Sequence, residues 1–229
     1  MSKTSPDPLI YPTINDDSVR EPNDFYPTPD WLVKRIITYR NIQQWLGARS
    51  ALDLGSGNGV WGQYLKHMIP QIDGIDIRDV ENPSYINPLN IPDRKDVGSP
   101  VYTNFYPKTD FLNLETENRY DIIGFNPPFQ MLTDKKIQNQ FIEKLHGLLT
   151  PYGKIVFILP LSYLYGLWRW EKIYSKGLLI ALYPFSDRID WTNMGNPRKE
   201  HGLFVWQAER INTNPEYASF VGNVLNTKE

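Results

Sequence analysis

Asn126-Pro127-Pro128-Phe129 places a side-chain amide, two prolines and an aromatic ring in four consecutive residues. The prolines remove two backbone donors and fix two φ angles, so the turn is stiff. Its carbonyls point at something other than their own chain. The Asn126 side-chain oxygen and the Pro127 carbonyl are two acceptors that can receive the N–H bonds of one amino group. Phe129 can stack on a planar ring, an interaction of ~1–3 kcal/mol per base. The set suits a planar base that carries an exocyclic amine. The same residues also read as a strand-ending turn with an Asn cap, and the remainder of the chain has to decide between the two.

A second group lies upstream. Ala51-Leu52-Asp53-Leu54 reads as a short buried strand, and Gly55-Ser56-Gly57-Asn58-Gly59 as a tight turn. Its glycines let a ligand approach the backbone closely. A helix over about Val60 to His67 follows, and its N-terminus favours negative charge. Ile72 to Ile77 reads as a second strand that ends in an acid, Asp76. Asp76 lies about 20 residues beyond the glycine turn, the usual place for a carboxylate that grips ribose hydroxyls across adjacent strands. A glycine turn alone is weak, and the bland alternative is a β-α turn that needs glycine for packing. Strand, turn, helix, strand and terminal acid in this order are far more specific.

The elements that must position these residues alternate between β and α periods. Residues 1–24 form an acidic arm, extended over the surface or partly disordered; residues 1–30 hold six acidic and two basic side chains. Residues 25–210 are one domain, and 211–229 a loose polar tail. Thr28 can N-cap a helix with Pro29 at its first position. That helix runs to about Trp45, with Trp31, Ile36, Ile42 and Leu46 on its apolar side and Gly47 ending it. Residues 80–108, with five prolines, and 184–200 are long loops, usually functional or mobile inside a compact domain. Between them come a short strand end at Thr109 to Leu112, a strand at 120–125 leading into the Asn-Pro-Pro-Phe turn, and a helix from Asp134 to Leu149. Ile137, Phe141, Leu145 and Leu148 mark that helix's buried side. Pro151 to Gly153 is a turn, Lys154 to Leu159 a central strand covered on both faces, Tyr163 to Ser175 a helix, Leu178 to Tyr183 a strand, and Gly202 to Ala208 the last strand.

Composition narrows the chemistry further. The chain has 229 residues, 41% hydrophobic, enough for a sizeable core. It has no cysteine, which excludes disulfides, thiolate metal sites and a Cys nucleophile. His67, His146 and His201 are scattered without ligand spacing and read as surface or cap residues, so no metal is expected. No run of 18 apolar residues exists, the N-terminus is unlike a signal peptide, and a cytoplasmic setting is expected. Net charge of −2 permits nucleic-acid binding through a local patch without predicting it.

With these residues in hand, the chain resembles the S-adenosylmethionine-dependent amino methyltransferases of class I fold. It is most similar to the N6-adenine group with the Asn-Pro-Pro-Phe/Tyr signature. The resemblance spans about residues 25–208. It implies an α/β Rossmann-like sheet, mostly parallel with an antiparallel last strand and helices on both faces. It implies S-adenosyl-L-methionine as cofactor, held by Tyr26, Thr28, Pro29, Asp53, Gly55, Gly57, Asn58, Asp76, Ile77, Asp110 and Phe111. In that pattern Phe25 to Pro29 closes the methionine end, Asp76 binds ribose, and Asp110-Phe111 flanks the adenine. Asn126, Pro127, Pro128 and Phe129 are the implied catalytic turn.

The implied reaction is methyl transfer to the exocyclic N6 of adenine in DNA. Similar turns serve RNA adenine or guanine and protein glutamine, and a non-catalytic methyltransferase-like subunit is the alternative from another class. Many DNA adenine enzymes carry a separate recognition domain, and this chain shows none. Recognition then falls to residues 80–108 and 184–200, to the arm, or to a second copy or partner subunit. Arg188, Arg198 and Lys199 could hold phosphates and Trp191 could stack, or the segment is a solvated loop with one buried Trp.

Overall fold

The computed structural model describes residues 26–40, 43, 46–134, 136–169, 179–191, 199–207 and 221–222. The buried runs named above become the strands of one sheet. In chain order these are β1 (Ser50–Leu54), β2 (Gln71–Ile75), β3 (Phe105–Tyr106), β4 (Tyr120–Phe125), β5 (Leu149–Pro160), β6 (Leu179–Pro184), β7 (His201–Gln207) and β8 (Val221–Gly222). Their spatial order is β3-β2-β1-β4-β5-β7-β6-β8. β1 to β5 pair in parallel, and β7 runs antiparallel between β5 and β6. This is the α/β sheet with an antiparallel insertion that the resemblance implied.

Side-chain alternation along the strands builds two cores. On β5, Val156 and Ile158 join one apolar cluster, while Ile155, Phe157 and Leu159 join the other. Both faces are therefore covered, which is why β5 reads as a continuous apolar run. The first face is closed by α1 (Asp30–Thr38) and α2 (Val60–Leu65). The second is closed by α4 (Gln138–Leu148), which follows the short α3 (Phe129–Thr133).

Several expectations change. Thr28 does not cap α1: Pro29 is the cap residue, and Thr28 Oγ1 accepts from the Trp61 indole N–H at 3.2 Å. Pro29 accordingly stands one place before the first helical position. The buried face of α1 is Leu32, Val33, Ile36 and Ile37, and Trp31 is exposed. Ile42, Trp45, the 170–175 part of the expected later helix and Leu178 of the expected strand lie outside the described residues. Asp110-Phe111 is not a strand end. Asp110 caps a 3-10 turn, Phe111–Asn113, by accepting from Leu112 N at 2.9 Å. α4 starts at Gln138, four residues later than expected. Pro151 to Gly153 is not a separate turn but part of β5, with an irregularity where pairing with β4 jumps from Tyr120↔Leu149 to Ile122↔Lys154. From the expected tail, Val221 and Gly222 pair with Ala181 and Leu182 along the sheet edge.

The 76–104 crossover between β2 and β3 contains no helix, in keeping with its prolines. It is nonetheless tightly built. Asn82 Nδ2 donates to the Tyr102 carbonyl and Asn82 Oδ1 accepts from Tyr102 N, at 2.9 and 3.1 Å. Gln63 on α2 bonds both Ser84 O and Ile86 N, at 2.7 and 2.9 Å. Tyr85, Val101 and Tyr102 are buried against α2 and β2 and take the place of a crossover helix.

Two glycines give opposite expectations. Gly124 lies so close to β5 that a Cβ would sit 2.4 Å from the Val156 carbonyl oxygen, whereas a Cβ at Gly147 on α4 meets nothing within 4 Å. Gly124→Ala should lower the unfolding free energy by about 1–3 kcal/mol through overpacking. Gly147→Ala should raise it by up to about 1 kcal/mol through helix propensity. Urea unfolding of the two variants checks both signs.

Candidate active site

β1 has β2 on one side and β4 on the other, so the strand order reverses at β1. Ligands of open α/β sheets bind at this reversal, outside the carboxyl ends of the strands. A cavity of about 280 Å³ lies there. Its wall comes from the turn after β1 (Gly55, Ser56, Gly57, Asn58), the end of β2 (Asp76, Ile77, Arg78), the 109–111 segment, the Tyr26-Pro27-Thr28 segment, and Asn126 and Pro128 after β4. Met131 and Ile137 close it on the α3–α4 side.

The two turns meet directly. Gly55 has φ of +74°, and a Cβ there would sit 3.3 Å from Pro128 Cδ. Gly59 has φ of +75° at the cap of α2, and a Cβ there would strike Pro83 Cγ at 2.4 Å. Only glycine meets both the dihedral and the spacing. Gly55 N and Ser56 N donate to the Ile75 carbonyl at 3.0 and 2.9 Å, which ties the β1 turn to the end of β2.

Asp76 is buried, and its carboxylate accepts from Gly57 N at 2.8 Å and Arg78 N at 2.8 Å. The Arg78 guanidinium forks onto the same carboxylate, Nε to Oδ1 at 3.0 Å and Nη2 to Oδ2 at 3.1 Å. Ile77 is half-exposed and Phe111 presents an apolar ring on the same cavity. Asp110 lines it beside them.

At the other end, Asn126 Nδ2 donates to the Tyr26 carbonyl at 2.9 Å. A carbonyl only accepts, so the amide's orientation is fixed chemically: nitrogen toward Tyr26, oxygen away from it. Trp61 stacks on Phe125, the residue before Asn126, with ring centroids 4.6 Å apart and planes 14° off parallel. The base of the turn is thus clamped by the same indole that holds Thr28. Pro29 and Pro127 do not line the cavity, and the Phe129 side chain lies outside the described residues.

Asp53 is placed differently from the cofactor-contacting role the resemblance implied. It lies beneath the glycine turn rather than on the cavity wall, and its carboxylate accepts from Tyr102 Oη at 2.6 Å. In register it sits between Gly74 on β2 and Gly124 on β4. The space above Gly74 is filled by the Tyr102 ring. Burial pushes the Asp53 carboxyl up to about 7; the Tyr102 hydrogen bond opposes this, and the nearby Asp76 charge adds to it.

Of the residues expected to serve recognition, Arg188, Trp191 and Lys199 do not line the cavity. Arg188 forms an exposed ion pair with Glu200, Nε to Oε1 at 2.9 Å. Trp191 is half-buried and donates its indole N–H to His201 Nε2 at 3.2 Å. His201 is buried, contrary to the surface or cap role expected of it. Since Nε2 must accept, the ring proton is on Nδ1, which donates to the Lys199 carbonyl at 2.9 Å. Burial lowers this histidine to about 4, so it is neutral near pH 7. Lys199 is exposed, and Arg198 lies outside the described residues. Among the described residues no group of His, Asp and Glu is placed to hold a metal, and no helix is long and apolar enough to cross a membrane.

Sequence reasoning missed Arg78 and Tyr102. Arg78 carried one signal, a cation two residues after the terminal acid. Tyr102, 49 residues from Asp53, carried none.

The fold and the site define a class I methyltransferase. The family model for the methyltransferase small domain matches residues 38–162, more than half of the chain, and the chain belongs to that family. The tRNA1(Val) (adenine(37)-N6)-methyltransferase of Pedobacter heparinus is 25% identical over 195 residues, covering 72% of this chain and 79% of that protein. Two solved structures have the same fold. A putative class I S-adenosylmethionine-dependent methyltransferase from Listeria monocytogenes matches with TM-score 0.54 and 13% identity, over 88% of this chain and 67% of that one. The methyltransferase subunit of a type I restriction-modification system from Streptococcus thermophilus matches with TM-score 0.51 and 13% identity, over 83% of this chain and 46% of that one.

The protein is an S-adenosylmethionine-dependent methyltransferase. Its cavity fits that cofactor. The lining has glycine backbone open to a ligand, a buried carboxylate at Asp76 and apolar surface from Ile77 and Phe111, the groups that a nucleoside-bearing cofactor requires.

The Asp53–Tyr102 pair yields a pH-dependent expectation. A carboxyl raised by burial adds stability below its unfolded value near 4 and loses it as pH rises through about 7. Tyr102→Phe removes the hydrogen bond that favours the ionised form. Its destabilisation should therefore be larger at pH 8 than at pH 5, by about 1 kcal/mol, the difference between a charged and a neutral hydrogen bond. Urea unfolding at the two pH values checks the sign.

Proposed function

We propose that this methyltransferase modifies the exocyclic N6 of adenine in a nucleic acid, with DNA as the leading polymer. The observation that carries the reading is the fixed amide of Asn126 on the cavity wall, with its nitrogen tied to Tyr26 and its oxygen left as an acceptor. Asn126 Oδ1 and the Pro127 carbonyl accept the two N–H bonds of the target amine. Adenine's amine is a poor nucleophile because its lone pair is delocalised into the ring. Two acceptors favour a pyramidal nitrogen whose lone pair is free for bond formation, a contribution of positioning and preorganised dipoles. When bound, S-adenosylmethionine supplies a methyl group on a positively charged sulfur. The amine's proton is lost readily after transfer, so the turn works without a His or Cys base. Phe129, two residues after Pro127, is the residue that the sequence offers for stacking on the base. In a duplex the target base also has to leave the stack, at a cost of a few kcal/mol.

The Pedobacter relative is named for the same atom of a tRNA adenine, which supports N6 and favours RNA as the second reading. A protein-glutamine target has no comparable support. The assignment of the polymer is tested by incubating the protein with methyl-labelled S-adenosylmethionine and separate DNA, tRNA and protein pools, followed by digestion and mass spectrometry. Labelled deoxy-N6-methyladenosine assigns DNA, and labelled N6-methyladenosine assigns RNA. Label only in protein overturns the reading.

Asn126→Ala should retain cofactor affinity in calorimetry and lower turnover by on the order of a hundredfold or more, as loss of one preorganised hydrogen bond does elsewhere. Near-normal turnover would remove Asn126 from the mechanism.

A further inference from the structure

The Asp76 carboxylate has no acceptor position left over. A carboxylate presents about four lone-pair sites. Oδ1 accepts from Arg78 N and Arg78 Nε, at 2.8 and 3.0 Å. Oδ2 accepts from Gly57 N and Arg78 Nη2, at 2.8 and 3.1 Å. Two of the four donors are backbone amides held by the β1 turn and the end of β2. The other two belong to one flexible side chain, and they take one site on each oxygen. A ribose diol needs the same pattern: one hydroxyl on each oxygen.

We propose that Arg78 is a latch on the cofactor site, its guanidinium occupying the positions on Asp76 that the ribose hydroxyls take. The inference rests on the reading of Asp76 as the ribose-binding acid. Cofactor entry then exchanges a two-pronged ion pair for two hydroxyl hydrogen bonds, and part of the binding free energy is used in the exchange. The latch can open. The Arg78 side chain is 22% exposed and lies on the cavity wall, whereas that of Asp76 is 5% exposed and cannot follow it into solvent. Once the latch opens, the two backbone N–H groups still hold the carboxylate in place, so the acid stays aimed at the ligand. Affinity is thereby set partly by a residue that makes no favourable contact with the ribose.

The test is calorimetric binding of S-adenosylhomocysteine to the full chain and to Arg78→Ala, Arg78→Lys and Asp76→Asn, each at low and at about 0.5 M salt. Arg78→Ala should bind about fivefold more tightly than the parent, the size expected for removing a partly exposed ion pair. Arg78→Lys, which keeps the charge but cannot fork onto both oxygens, should fall between them. Salt should tighten binding to the parent by weakening the ion pair, and should leave Arg78→Ala unchanged. A merely structural role for Arg78 would not give this salt dependence. Weaker or equal binding by Arg78→Ala overturns the latch, as does salt-independent binding by the parent. Asp76→Asn separates the two ideas. If it binds normally, the ribose reading itself fails. If it binds poorly while Arg78→Ala binds like the parent, only the latch fails.

Discussion

Two chain reversals have to touch without a side chain between them. The turn after β1 and the turn after β4 emerge from adjacent strands, and Gly55, at φ of +74°, faces Pro128 so closely that a Cβ would come 3.3 Å from its Cδ. Both turns supply residues to the cavity wall. The β1 turn is tied to β2 through the Ile75 carbonyl and through Gly57 N on Asp76, so the acid and the glycines move as one body. The β4 turn is held from the other side by its prolines. Since adjacent parallel strands lie about 4.8 Å apart, a site assembled across β2, β1 and β4 has its two ends within reach of one nucleoside-sized ligand. The reversal of strand order opens the crevice, and the glycines let the two turns form its wall.

Below the turns, the sheet makes a costly choice. Asp53 is ionisable, fully buried and near a second carboxylate, Asp76. It is tolerated because Gly74, beside it in register on β2, leaves space for the Tyr102 ring, whose hydroxyl donates to the carboxylate. Tyr102 comes from the helix-free crossover. That segment therefore contributes more than coverage of α2. Its prolines and its asparagine clamps set one phenol over one carboxylate. The long loop that suggested target recognition is here a structural part of the cofactor lobe, although its outer surface, with Ile86 and Val97 exposed, remains available.

Much of this was legible in the chain. Short apolar runs with glycine or proline near their ends located β1, β2, β4 and the central part of β5, because those signals are local. The order of strand, glycine turn, helix and acid located the cavity, since each step fixes the next within a few residues. What escaped was non-local. Thr28 reads as a helix cap from its neighbours alone, yet its hydroxyl accepts from Trp61, 33 residues away. Asp53 reads as a ligand group by motif, yet Tyr102 turns it into an internal acid. Trp31 fits the apolar side of α1 by residue type, but burial belongs to Leu32, Val33, Ile36 and Ile37 because α2 and the sheet meet α1 on that side. Trp191 and Arg188 looked free to engage a polymer. Their described partners, His201 and Glu200, lie 10 and 12 residues further along the chain, a separation that local spacing does not encode.

The Asn126 amide is the clearest case of a local motif completed from a distance. Asn126-Pro127-Pro128 supplies stiffness, but stiffness alone does not say which end of the amide faces the cavity. Tyr26 decides that, 100 residues earlier, through a carbonyl that can only accept. A closed circuit follows: Tyr26 to Asn126, its neighbour Phe125 to Trp61 by stacking, and Trp61 back to Thr28 by a hydrogen bond. Each link is modest, but together they remove the freedom of the segment before α1 and of the turn after β4 at once. The segment that closes the cavity is therefore also the one that sets the polarity of the amide. Wall and acceptor form together, so a chain with the 26–28 segment displaced would keep its glycine turn and Asp76 while losing the orientation of Asn126.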